Sequence, residues 1–161
     1  MNEPARVGVI ASQEVTEIIQ IVLNRHGQVA PLVWPVADPS LIEPPDLIVC
    51  EIEDHSQAAA FHGEIKKYWP EATVVSFENQ MPSATDIGVG SLLGASRAAG
   101  YLGHLNIDDA ALQLPIFLRY AEQRRVADQR AHQIVHLKRL LSASVRMQAS
   151  LDRPTVAQAI L

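Results

Sequence analysis

The stretch that decides the fold is Asp46-Leu47-Ile48-Val49-Cys50-Glu51, an acid, four apolar residues and a second acid. Pro44 and Pro45 precede it, and the acidic cluster Glu51, Glu53 and Asp54 closes it. A short apolar run bounded in this way reads as a strand buried on both faces, as in the middle of a parallel sheet. The carboxyl end of such a strand is where ligands and reactions gather in open α/β sheets. Here that end carries Glu51.

Upstream, Arg6-Val-Gly-Val-Ile10 is a first strand, and Ser12 can cap a helix that places Val15, Ile18, Ile19, Val22 and Leu23 at helical spacing. Gly27, after Arg25 and His26, is a helix stop, and Val29–Trp34 makes a second strand closed by Pro35. Residues 38–45 contain three prolines and allow at most one or two helical turns. Downstream, Ser56 is an N-cap for a helix through Phe61, Ile65 and Tyr68 that Pro70 ends. Thr73–Phe77 is a fourth strand and Glu78–Thr85 a loop. Ile87–Ala99 is a weak helix weighed down by glycines, and Gly100-Tyr-Leu-Gly103 a short fifth strand. Strands alternating with helices predict an α/β fold, a doubly wound five-stranded parallel sheet. From Asp108 the pattern is helical to about Ser150, with Pro115 near the start, where a missing amide donor is tolerated.

Charge divides the chain. Residues 1–118 carry 5 Lys+Arg against 15 Asp+Glu, and residues 119–161 carry 8 against 3. An acidic head and a basic tail predict separate structural units. No apolar run approaches the roughly 20 residues of a membrane span, and the N-terminus lacks the pattern of a signal peptide. The single cysteine, Cys50, reads as a small buried hydrophobe, which excludes a disulfide framework and fits a reducing cytoplasm.

The long helix exceeds what one small domain can cover. Ile134, Leu137, Leu141, Ser144, Gln148 and Leu151 fall at alternating three- and four-residue spacing, and Ala127 and Arg130 extend the register upstream. This predicts a short coiled coil and a homodimer seam centred on Ile134, Leu137 and Leu141, in preference to a helix packed on its own domain.

With the elements placed, the chain resembles the receiver domain of two-component response regulators over roughly residues 5–130. DLIVCE is similar to the strand that ends in that family's phospho-accepting aspartate, and Gly100-Tyr-Leu-Gly-His104 to the fifth strand that ends in lysine. Ala111–Arg125 looks like the closing helix of receivers that precede further signalling domains. The resemblance implies an Mg²⁺-holding acid pair after the first strand, a hydroxyl residue at the end of the fourth and that lysine. Here the acid pair stands as Ala11 and Ser12, the acceptor as Glu51 and the lysine as His104. The hydroxyl position falls on Ser76, with Glu78 as a rival. Ala11 cannot ligate a metal and Ser12 is a poor neutral ligand, so the expectation is a pseudo-receiver without phosphorylation, enzyme activity, metal or cofactor. Three roles stay open for Glu51: mimic of a phosphorylated state, partner of a neighbour such as His104, or a half-solvated acid left after activity was lost.

Other candidates carry less. Glu51, Glu53, Asp54, His55, Glu78 and His104 all belong near one sheet edge but match no metal-ligand spacing. Gly88-Val-Gly90-Ser-Leu-Leu-Gly94 has the wrong spacing and position for a dinucleotide turn. His132 and His136 lack the acidic neighbour of a phosphorylatable histidine and read as helix surface. The basic tail has no recognition helix after it, which argues against nucleic acid. Leu140–Leu161 resembles the opening helix of a GAF sensory domain, with a break and restart at Asp152-Arg-Pro154.

The sequence therefore predicts a receiver-like domain over 1–118, a signalling helix over 119–150 and the start of a further helix or domain over 151–161. The expected role is cytoplasmic protein–protein signalling in a two-component setting, as a homodimer, with a downstream domain or partner meeting a face near Leu92, Leu93, Tyr101 and His104. The alternatives are a small-ligand sensor or enzyme on a flavodoxin-like frame, and the front of a transcription regulator.

Overall fold

The computed structural model describes residues 4–79 and 92–159, apart from the side chains of His55, Leu92, Leu93 and residues 151–159. Five strands form one sheet: β1 (Ala5–Ile10), β2 (Gly27–Pro31), β3 (Leu47–Glu51), β4 (Thr73–Glu78) and β5 (His104–Asn106). The helices are α1 (Gln13–Leu23), α2 (Ala58–Tyr68), α3 (Leu92–Ala99) and α4 (Ile107–Ala159). The order is β2-β1-β3-β4-β5 and every neighbouring pair is parallel. This is the doubly wound sheet the sequence predicts, and DLIVC lies at its centre, with Leu47 to Cys50 all fully buried.

Strand alternation sorts the core into two layers. Val7, Val9, Leu47, Val49, Val75, Phe77 and Leu105 face α1 and the first turns of α4, which contribute Val15, Ile19, Leu23, Leu114 and Leu118. Ile48, Cys50 and Val74 face the other way, toward Ala58 and Ile65 of α2 and toward Trp69 and Tyr101.

Several boundaries differ from expectation, each for a local reason. The helix expected to stop at Gly27 stops at Leu23, and β2 is Gly27–Pro31 rather than Val29–Trp34. Gly27 sits against β1: a Cβ there would lie 2.8 Å from the Ala5 carbonyl oxygen, so the glycine serves close strand pairing. The segment Gly100–Gly103 is not a strand; β5 starts at His104. Gly100 closes α3 with φ +97°, a left-handed conformation incompatible with a strand, and its N–H donates to Arg97 O. Ser56 is not an N-cap; a 3-10 turn (His55–Gln57) precedes α2, and Asp54 Oδ1 accepts the Ser56 N–H at 2.8 Å. Between β2 and β3 there is only the 3-10 turn Pro39–Leu41. The break expected at Asp152-Arg-Pro154 is absent, and α4 continues to Ala159. A proline inside a helix removes one hydrogen bond and bends the backbone without having to end it. Gly88 and Gly90 of the glycine motif lie outside the described residues.

The chain divides into two compact units, Met1–Gln123 and Arg124–Leu161. In the second, Ile134, Leu137 and Leu141 are 53%, 57% and 67% exposed. No helix among the described residues is long and apolar enough to cross a membrane.

Candidate functional site

The carboxyl ends of β1, β3 and β4, with the start of β5, place the residues singled out in the sequence. Glu51 ends β3, in line with the Leu47 and Val49 side of the strand. Its Oε2 accepts the Ser12 backbone N–H at 2.7 Å. Ser12 is the N-cap of α1 but makes no side-chain cap bond; its carbonyl accepts from both the N–H and the hydroxyl of Thr16. Glu51 therefore supplies a carboxylate to the N-terminus of α1, where free N–H groups and the helix dipole favour negative charge. Ala11 packs at the margin of the core behind it.

His104, Ser76 and Glu78 form a separate network on the face covered by α3. Ser76 and Glu78 are two apart on β4 and point the same way, and Ser76 pairs with His104 across the β4–β5 ladder. His104 Nε2 lies 3.1 Å from Glu78 Oε2, with the two side chains 9% and 18% exposed. On the other side of the ring, Nδ1 lies 2.8 Å from Ser76 Oγ, which in turn lies 2.8 Å from Ser96 Oγ of α3. The Glu78 carboxylate only accepts, so Nε2 carries the proton in that contact, while the Ser76 and Ser96 hydroxyls both lie within reach of Nδ1. The order serine, histidine, carboxylate is that of a nucleophilic triad, but with the two ring nitrogens exchanged: the serine meets Nδ1 and the carboxylate Nε2. Ser76 is fully buried, however, and offers a substrate no approach.

Glu51 and His104 are thus not partners; each is tied to a different element. Strand alternation explains why, since Glu51 continues one face of the sheet while Ser76, Glu78 and His104 continue the other. Tyr101, expected near a contact face, is 5% exposed, its ring 4.8 Å from that of His62 and its hydroxyl donating to Ala58 O at 3.0 Å. It is a core residue of the α2–α3 layer, and Leu92 and Leu93 lie outside the described side chains. Cys50 is buried, and burial pushes its thiol up to about 12. His132 and His136 are exposed on α4, and Glu53 and Asp54 are exposed beyond β3. Among the described residues, no group of three or more His, Cys, Asp or Glu side chains is placed to hold a metal ion.

Sequence reasoning missed two features. Leu112, Ile116 and Tyr120 are exposed on α4, opposite the buried Ala110, Leu114 and Leu118. The signal was present in their strict four-residue spacing, two positions out of phase with the core set. The second is the hydrogen-bonded link from His104 to Ser96, which no local pattern in the sequence announces.

No protein-family model matches the chain, and no curated protein sequence does. Solved structures do. A CheY-like protein (tadZ) from Pseudomonas aeruginosa is 15% identical with a TM-score of 0.55, the match covering 73% of this chain and 98% of that one. A response regulator from Thermotoga maritima gives 13%, 0.55, 72% and 98% for the same four quantities. NtrX from Brucella abortus, solved with ADP, is 18% identical with a TM-score of 0.53, over 79% of this chain and 29% of that one. Together with the strand order and the all-parallel sheet, these matches establish that the chain has the fold of a response-regulator receiver domain.

Proposed function

We propose that the protein is a phosphorylation-independent receiver-like signalling module, not an enzyme, that works in the cytoplasm through protein–protein contact and dimerises through α4. The observation that carries this reading is that the groups standing at the family's reactive positions bond to one another. Glu51 is bound by the Ser12 N–H, and His104 is held between Glu78 and Ser76. In-line phosphoryl transfer needs a metal to neutralise developing charge and a cation to receive the phosphoryl oxygens. Ala11 and Ser12 supply no carboxylate for the first, and His104 already faces a carboxylate in place of the second. A receiver held in one arrangement by internal bonds transmits through what docks on it, not through a phosphorylation cycle.

The helical arm supports the dimer. Ile134, Leu137 and Leu141 present apolar side chains at coiled-coil spacing on the second unit. A two-component protein organised this way holds two receiver-like heads (residues 1–118) on a shared helix (119–150) and passes a docking event along that helix.

The test is incubation with beryllofluoride and Mg²⁺, or with acetyl phosphate and Mg²⁺, followed by intact-mass and amide NMR measurements. Unchanged spectra and mass are expected. A saturable adduct that disappears in Glu51→Gln would overturn the proposal.

A further inference from the structure

Every other consecutive strand pair in this sheet is joined through an α-helix, but β2 and β3 are joined by a single 3-10 turn. Without a helix there, the carboxyl ends of β2, β1 and β3 open into a crevice of about 780 Å³ between α1 and α2. It lies at the β1/β3 switch point of the strand order, where doubly wound sheets bind ligands, and its volume suits a small molecule. It is distinct from the His104 network, which belongs to β4, β5 and α3.

The lining has a definite chemistry. Ile10, Leu32 and Ile52 give apolar surface, and Trp34 and Phe61 form an aromatic wall. Trp34 is fixed edge-on to Phe61 (centroids 5.1 Å apart, planes at 85°) and to Tyr68 (5.8 Å, 76°), so the indole is preorganised. Glu17, Glu51, Glu53 and Asp54 also line the space, and among the described lining residues there is no Lys, Arg or His. Two helix N-termini, which attract anions, reach this space: that of α1 is answered by Glu51, and that of α2, at Gln57 and Ala58, follows the acidic Glu53 and Asp54. Glu17 accepts from Gln13 and Asp54 from Ser56, whereas Glu53 bonds to none of the described residues. The crevice therefore opposes phosphates and carboxylates, and it combines apolar walls, an indole and carboxylates, the set that recognises an ammonium or guanidinium on an apolar body.

We infer that this crevice binds a small organic cation, an ammonium or guanidinium group carried on an apolar or aromatic body. The inference does not depend on whether Glu51 accepts phosphate. The same chemistry is offered by a free amine and by an arginine side chain of a docking protein, and the probes separate the two sources.

The experiment uses the full chain and follows the two indole N–H resonances by NMR during titration with phenethylamine, N-acetylarginine amide and phenylacetate. Trp69 is buried and serves as the internal reference. Saturable movement of the Trp34 resonance at millimolar concentration is expected with the cations and none with phenylacetate. Tighter binding of phenethylamine assigns a free amine, and tighter binding of the arginine amide a partner's side chain. Glu53→Gln, an exposed substitution that breaks no bond of the fold, should weaken binding by about threefold, and Glu17→Gln with it by about tenfold. An equal response to phenylacetate, no saturable response to either cation, or full affinity in the double variant would overturn the inference.

Discussion

Replacing Glu78 by alanine probes the network at the end of β4. The carboxylate lies 3.1 Å from His104 Nε2, and the side chains are 18% and 9% exposed, so water only partly replaces what is lost. Removing a charged acceptor from a mostly buried N–H donor costs about 1.5–3 kcal/mol, and the low exposure argues for the upper half of that range. With a urea slope of about 2 kcal/mol/M for a chain of this size, the unfolding midpoint should fall by about 1 M. The Arg124–Asp128 pair is the internal control: its atoms are 3.9 Å apart and the side chains 39% and 46% exposed. Asp128→Ala should cost less than about 0.5 kcal/mol. The decisive measurement is a double-mutant cycle with His104→Leu, read from urea unfolding followed by circular dichroism. A coupling of about 1–3 kcal/mol is expected, because once the imidazole is gone Glu78 has nothing there to satisfy. If Glu78→Ala costs the same in both backgrounds, or costs no more than Asp128→Ala, the pair does not hold the end of β4 and the account of the site fails.

Four further outcomes follow from particular positions. Gly63 is exposed inside α2 with nothing within 4 Å of a Cβ placed on it, so Gly63→Ala should stabilise by about 0.5–1 kcal/mol in thermal melts; Gly27→Ala, whose methyl meets the Ala5 carbonyl, should destabilise by about 1–3 kcal/mol. Burial, with Lys66 nearby, lowers the His62 pKa below its usual 6.5, so the unfolded chain takes up the proton first. Stability should be full above pH 6.5 and fall as the pH drops through that value, and His62→Phe should flatten this part of the profile of urea midpoint against pH. In the proposed dimer, Leu137→Lys should weaken self-association more than a hundredfold in sedimentation equilibrium, since two leucines would each forfeit about 1.5–3 kcal/mol of burial. A dimer that survives that change would move the interface off α4.

The fold was legible because its signals are redundant. DLIVC is apolar at four consecutive positions, and its shortness and the prolines before it favour a strand covered on both faces over a buried helix. The boundaries that slipped depend on contacts distant in sequence. Gly27 looks like a helix stop until Ala5 is seen to press against it, and Gly100 opens an apparent strand until its positive φ closes α3. The site was legible as a set of positions but not as a set of bonds. Ser76, Glu78 and His104 were each named as candidates, yet their order of contact depends on the β4–β5 register, which brings Ser76 opposite His104 and leaves Glu78 on its diagonal.

That register also bears on why Glu51 cannot be judged alone. An acid at the end of the central strand has the same sequence appearance whether it accepts phosphate, mimics it or caps a helix. What distinguishes the cases is the partner of each carboxylate oxygen. Oε2 of Glu51 meets a backbone N–H at a helix start, a site favourable to any anion, and the bond brings the start of α1 to the end of β3. His104, which stands where a phosphoryl group would require a cationic side chain, lies on the opposite face of the sheet and is held there by Glu78. On the proposed reading, Glu51→Asp should not confer phosphorylation: positions 11 and 12 would still offer no carboxylate, and His104 would still be engaged by Glu78. On that reading the chemistry would take coordinated change on β1, β3, β4 and β5, not a single substitution.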